Sequence, residues 1–247
     1  MKNTTQIGLK KTIAMVFGTT GLFTALYLIT GILLPQLPTI LIFCILGGLF
    51  LMPVEWFLMF KQSKKDYGKY SLRIALIGQE KQPVLHILFF ALVLFGVAGI
   101  FSFTIQPLEN MLLLTFRENL LSFLPTGFDW NNIEYIKSFP KNIILATCAV
   151  YFIFNVFVGP ITEEFFFRGY LTAHNNKYGK WTPVIITIIF SLYHFWLPFH
   201  NIFRIFVFLP MAYISYRKRN IYFCMFSHIL CNLFSTISFI TAVVNEI

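Results

Sequence analysis

NIILATCAVYFIFNVFVGPITEEFFFRGYLT, residues 142–172, is a long apolar run with three ionisable side chains, Glu163, Glu164 and Arg168, set inside it. A helix crosses about 30 Å of hydrocarbon in about 20 mainly apolar residues, so this run is long enough to span a bilayer with residues to spare. On insertion scales each charge costs about 2.5–3.5 kcal/mol near the centre of a spanning helix, and such a residue therefore needs a partner or a purpose. Glu164 and Arg168 are four residues apart and share a helix face, whereas Glu163 is turned about 100° away. An ion pair accounts for Glu164 and Arg168 and leaves Glu163 unexplained.

The chain around this run is of the same kind. Six more apolar segments, at 12–34, 37–60, 84–105, 182–197, 202–216 and 221–243, have the composition of membrane spans, those at 182–197 and 202–216 being short. Of the 247 residues 57% are hydrophobic and 12% charged, with a mean hydropathy of +0.72. Soluble domains have about 45–50% apolar and about 25% charged residues, so too little polar material remains here for a water-facing exterior. The expected fold is an all-α, polytopic transmembrane helix bundle of seven helices, or eight if Gly159-Pro160 divides the run at 142–172. Residues 1–141 are read as amino-terminal transmembrane helices with an outer surface segment, and residues 142–247 as a helical core that carries the chemistry. Within the long link at 106–141, the polar residues Glu109, Asn110, Arg117, Glu118 and Asn119 predict a surface helix over 108–124.

The net charge of +9 is spread over short links between apolar runs and forms no continuous basic domain, which argues against a nucleic-acid partner. It reports topology instead. With the amino terminus in the cytoplasm, 14 of the 19 basic residues, from Lys2, Lys10 and Lys11 through the links at 61–81, 177–180 and 217–219, fall on that side. Only Arg117, Lys137, Lys141 and Arg204 fall outside, and Arg168 lies within a span. The basic start before the first run resembles a signal peptide, but the apolar segment exceeds a signal core and lacks a small-residue cleavage site, so it is expected to stay as the first helix. Cys44, Cys148, Cys224 and Cys231 lie in apolar stretches without CxxC or zinc-type spacing and read as core-filling thiols.

Further polar residues interrupt the later spans. His194 follows Phe190 by four residues, and His228 and Asn232 share one helix face. At about 1.5 Å per residue from the basic links, Glu163 lies roughly 16 Å deep, His194 roughly 19 Å, His228 roughly 12 Å and Asn232 roughly 18 Å. A carboxylate, two imidazoles and a carboxamide in one slab can form a polar pocket, expected to open toward the cytoplasm. Such a set suits hydrolysis: a glutamate in an apolar site takes a proton from water, and an amide with an imidazole donates to a developing oxyanion. Ser191 and Ser227 adjoin the histidines without an oriented triad, and HExxH is absent. His86, His174 and His200 read as interfacial, and Glu55 as a residue that pairs with Lys61 or snorkels.

The order Glu163-Glu164-x-x-x-Arg168, Phe190-x-x-x-His194, His228-x-x-x-Asn232 resembles the CPBP intramembrane proteases, also called the CAAX protease and bacteriocin-processing (Abi) family, over about residues 154–234. The apolar runs and the charge distribution lead to the expectation of an integral, multi-pass protein of the cell membrane with a cytoplasmic amino terminus, and the resemblance adds an expectation of function. The resemblance implies an intramembrane endopeptidase acting on a small hydrophobic, lipidated or membrane-associated peptide, with Glu163 as activating base, His194 as its partner, and His228 and Asn232 on the oxyanion side. Glu164 and Arg168 would orient or stabilise the site. The family is often labelled metalloprotease, so a divalent metal such as zinc is possible; the residues themselves favour no cofactor. Two other readings use the same residues: a non-catalytic immunity protein or scaffold holding them as a hydrogen-bonded network, and a transporter using them as a proton relay.

The charge distribution makes a direct prediction. Cysteines introduced at 177–180 are expected to react with impermeant thiol reagents only from the cytoplasmic face; labelling only from outside would reverse the topology.

Overall fold

The computed structural model describes residues 5–130 and 132–245, so Lys2 of the charge tally lies outside the described residues. Among them nine helices and no strands are found. They are α1 (Leu9–Leu33), α2 (Thr39–Tyr67), α3 (Val84–Leu112), α4 (Leu114–Ser122), α5 (Ile133–Lys137), α6 (Lys141–His174), α7 (Thr182–Leu192), α8 (Asn201–Lys218) and α9 (Tyr222–Val244). Five of these, α1, α2, α3, α6 and α9, are long and apolar enough to cross a membrane. Each of the seven runs read from the sequence contains one helix, α7 and α8 being the two short ones.

The run that decides the fold is one helix of 34 residues, continuous through Gly159-Pro160. Proline lacks an N–H and crowds the preceding turn. Here the turn before it widens to π geometry over Phe154–Val158, with the Gly159 N–H reaching back five residues to the Phe154 carbonyl. A second π segment, Glu164–Leu171, begins one residue after Glu163. Wide turns of this kind interrupt α-helices mostly at functional sites.

Packing fills the end of the bundle that carries the basic links. Phe166, Phe167, Tyr170, Phe190 and Tyr193 are buried against one another, largely edge to face. At the same end His174 is fully buried, its Nδ1 on the Tyr170 carbonyl at 2.8 Å and its Nε2 3.3 Å from Asp66. It is a core residue rather than an interfacial one, because burial with two partners satisfies both ring nitrogens. Glu55 is likewise buried, at 1% exposure, rather than paired with Lys61 or snorkelling. It faces inward toward Tyr193 and Glu163.

The surface helix expected over 108–124 exists only in part. Residues up to Leu112 continue α3, the chain breaks at Leu113, and α4 alone is peripheral, with no buried residue. Glu109 is 1% exposed and accepts hydrogen bonds from the N–H groups of Ile202 (2.7 Å) and Phe203 (2.8 Å) in the first turn of α8. A helix start leaves those donors unsatisfied and favours a negative charge, which is why a carboxylate that reads as a surface group is drawn inside.

The α7 helix ends at Leu192, earlier than the run at 182–197 indicated, and its 11 residues rise only about 16 Å. His194 therefore lies in the turn beyond the helix. Backbone that leaves a helix at membrane depth must be satisfied by protein or line a cavity. Here Thr20 Oγ1 donates to the Tyr193 carbonyl at 2.5 Å, and Arg204 donates to the carbonyls of Ser191 (3.3 Å) and Leu197 (3.5 Å).

The closest backbone approach is at Gly169 on α6, where an added Cβ would stand 2.3 Å from the carbonyl oxygen of Ala75, in the short 3-10 turn Leu72–Ala75. Gly169→Ala is expected to cost about 1–3 kcal/mol, as overpacking does. Gly18→Ala on α1, which meets nothing within 4 Å, should leave thermal stability in detergent unchanged. Equal melting temperatures for the two variants would refute the tight contact.

Candidate active site

A cavity of about 620 Å³ is walled by α2, α3, α6, α7, α8 and α9. Glu163, His194, His228 and Asn232 all line it, so the structure brings together the four residues that the depth count placed in one slab. Glu164 and Arg168 lie behind them and do not line it. The lining runs from Glu163 and His228 to Gln106, Trp130, Leu197 and His200, at the end of the bundle that holds the 106–141 link. The lining thus extends toward the end opposite the basic links, not toward them as the sequence led one to expect. Depth counted from one surface does not record where the packing between helices leaves space.

Glu164, fully buried on α6, is the centre of the polar core. Its Oε1 lies 3.0 Å from His228 Nδ1 on α9 and 3.3 Å from Arg168 Nη1 one turn along its own helix. A carboxylate acceptor at Nδ1 assigns the proton to that nitrogen and turns Nε2 toward Glu163, whose Oε2 is 3.8 Å away. The guanidinium of Arg168 lies over Phe190, 4.0 Å from the ring centre, with Phe208 5.3 Å away, so two aromatic faces supplement its one carboxylate.

The other two groups are oriented from outside the cavity. His194 Nδ1 lies 2.9 Å from the Phe190 carbonyl, an acceptor only, which leaves Nε2 as the unprotonated acceptor in the neutral ring. Phe190 packs edge to face against both His194 and His228, fixing the two ring planes. Asn232 Nδ2 donates to the Asn155 carbonyl at 2.8 Å, and Asn155 Nδ2 donates to Thr236 Oγ1 at 2.8 Å. One N–H of the Asn232 carboxamide is thereby committed and its second is left for a ligand. The wide turn that begins at Phe154 carries Asn155 and so belongs to the site's construction.

Three cavity residues were missed by sequence reading. Asn155 is masked by its apolar neighbours. Arg204, counted as an outer-link residue, lines the cavity from the first turn of α8; a cation there opposes the helix dipole, a signal the sequence did contain. His200, read as interfacial, also lines the cavity, and its Nδ1 is buried without a hydrogen-bond partner. Burial, and then the charges of Arg204 and Arg117, push its pKa down to about 4, so the ring is neutral at physiological pH.

The donor set does not fit a zinc ion. Among the described residues no three His, Cys, Asp or Glu side chains are grouped as metal ligands.

The described residues thus form an all-helical bundle that holds a carboxylate, two oriented imidazoles and a carboxamide in one cavity. Residues 145–234, from within α6 to within α9, match the family model described as type II CAAX prenyl endopeptidase Rce1-like, consistent with the CPBP resemblance of the motifs. The match covers a little over a third of the chain and includes all six motif residues. At family level it supports an intramembrane endopeptidase. No curated protein and no solved structure matches the chain.

Replacing Arg168 by Ala leaves the Glu164 carboxylate buried with His228 alone. Removing one partner of a buried ion pair costs about 3–5 kcal/mol. Arg168→Ala is expected to lower the melting temperature and the yield of folded protein; an unchanged melting temperature would mean that Arg168 does not serve the fold.

Proposed function

We propose that the protein hydrolyses a peptide bond in a hydrophobic, membrane-associated peptide, using a water activated by Glu163. The observation that carries this reading is the convergence of Glu163, His194, His228 and Asn232 on one cavity, with the Nδ1 of each imidazole engaged elsewhere. Water held between the Glu163 carboxylate and His194 Nε2 gives its proton to Glu163 as its oxygen attacks the scissile carbonyl. The second N–H of Asn232 donates to the oxyanion that develops, with His228 on the same side of the cavity. Glu164 holds the His228 ring through Nδ1, and Arg168 in turn balances Glu164. Collapse of the tetrahedral intermediate passes the proton from Glu163 to the leaving amine. Water, base and acid are all accounted for without a covalent intermediate.

The walls support a substrate that is mostly apolar. Phe43, Leu51, Met52, Phe154, Phe203 and Val207 line the cavity, and its volume lies within the range of about 300–1,000 Å³ typical of small-ligand pockets, room for a short peptide segment. Phe103 on α3 and Phe234 on α9 line it while remaining 86% and 66% exposed, so the cavity reaches the lipid-facing surface between those helices. Entry from the bilayer suits a membrane-associated chain.

Glutamine keeps the size and hydrogen bonding of glutamate but cannot take the proton. Glu163→Gln is expected to lower the cleavage rate of a hydrophobic reporter peptide by about 10²–10⁴, with expression and melting temperature unchanged. Asn232→Ala should cost the chemical step about 3–4 kcal/mol. An active Glu163→Gln protein would sink the glutamate-base mechanism, and a cellular role that survives in it would favour the immunity or scaffold reading.

A further inference from the structure

Arg204 is a cation that lines the cavity yet has no anion of its own. Its Nη1 donates to Asn201 Oδ1 at 2.9 Å and to the Ser191 carbonyl at 3.3 Å, and its Nη2 to the Leu197 carbonyl at 3.5 Å. These acceptors are neutral: they orient the guanidinium without balancing its charge. Among the described residues no carboxylate forms an ion pair with it. The two acidic groups in its electrostatic field are Glu109 and Glu163. Glu109 is engaged by the Ile202 and Phe203 N–H groups, and Glu163 belongs to the chemistry. A charge held at membrane depth is costly unless it is paired. Next to it along the lining, His200 presents an imidazole whose Nδ1 is buried without a partner.

We propose that Arg204, with His200 beside it, is an anion site at the outer end of the cavity that takes a carboxylate carried by the peptide substrate. The proposal rests on the peptidase reading and deepens it. A guanidinium fork matches a carboxylate in two parallel hydrogen bonds, and the neutral His200 ring adds an N–H donor. The peptide then spans from the carboxylate on Arg204 to the scissile bond at Glu163, inside a cavity with room for only a short segment. Arg204 is a specificity-determining residue on this view, since it touches the substrate away from the reacting atoms. The carboxylate has two possible sources, the carboxyl terminus or an acidic side chain near the cut.

The test compares three peptides of one hydrophobic sequence: with a free carboxyl terminus, with that terminus amidated, and amidated with an aspartate added near the end. The purified full-length protein should bind one of the two carboxylate-bearing peptides with a KM about 10–100-fold below that of the plain amide, the worth of hydrogen bonds to a charged group. Which of the two is preferred identifies the source. Arg204→Gln should raise KM for that peptide to the amide's value, so that the acid-over-amide preference is lost. Arg204→Lys, which keeps the charge and a donor to the Ser191 carbonyl, should fall between them and covers the case in which the glutamine variant does not fold. Equal KM for all three peptides in the wild type would overturn the proposal. So would an Arg204→Gln protein that keeps the wild type's ratio of acid to amide KM, which would mean that the carboxylate is bound elsewhere. Direct binding of the same peptides to the Glu163→Gln protein separates the two readings: absence of cleavage by the wild type defeats the peptidase, whereas equal affinity for acid and amide defeats the anion site alone.

Discussion

The buried carboxylate of Glu164 is the constraint on which the site depends. Carried alone into a low-dielectric interior, it would cost several kcal/mol, and the structure offsets that cost with Arg168 from its own helix and His228 from α9. The second contact has three consequences. It ties α6 to α9, it fixes which nitrogen of His228 carries the proton, and it aims the other nitrogen at Glu163. The adjacent glutamates thus have separate duties although they are neighbours in the chain. Glu164 faces the packed interior and Glu163 the cavity, a division that follows from the turn of about 100° between consecutive residues on a helix.

The features legible in the sequence were those set by periodicity and by the cost of charge in lipid. The apolar runs announced the spans, and the improbable placement of Glu163, Glu164 and Arg168 drew attention to residues 142–172 before any geometry was known. Depth counting gathered His194, His228 and Asn232 with Glu163 because helical rise is nearly constant. Features that depend on packing between distant segments were not legible. Glu109 reads as a surface residue until α8 places two unsatisfied N–H groups beside it. Asn155 looks like an isolated polar residue until Asn232 and Thr236 of α9 arrive next to it. The direction in which the cavity extends follows from where the packing between helices leaves space, and linear spacing does not record that.

The short α7 helix has a related role. By stopping at Leu192 it releases the chain into a turn at membrane depth, and the turn, rather than a helix face, presents His194 to the cavity. Each carbonyl freed there has to find a donor. Thr20 from α1 and Arg204 from α8 supply several, so the first helix, outside the matched region, helps to hold a residue of the site. The amino-terminal helices are therefore part of the site's support as well as its enclosure, α2 and α3 by their walls and α1 by this single hydroxyl.

Part of the wall is carried by a helix other than those that carry the motif residues. Along α3 the cavity is bounded by Phe95, Gly96, Ala98, Gly99, Ser102, Phe103 and Gln106, while the polar groups described above come from α6, the α7 turn and α9. Of the five long helices α3 is also the least enclosed. Volume and shape can consequently drift through exchanges such as glycine for alanine on α3 while the hydrogen-bond geometry around Glu163 stays as it is. For an evolving lineage, or for an engineer, the α3 wall offers a means of reshaping the cavity that leaves the polar groups around Glu163 untouched.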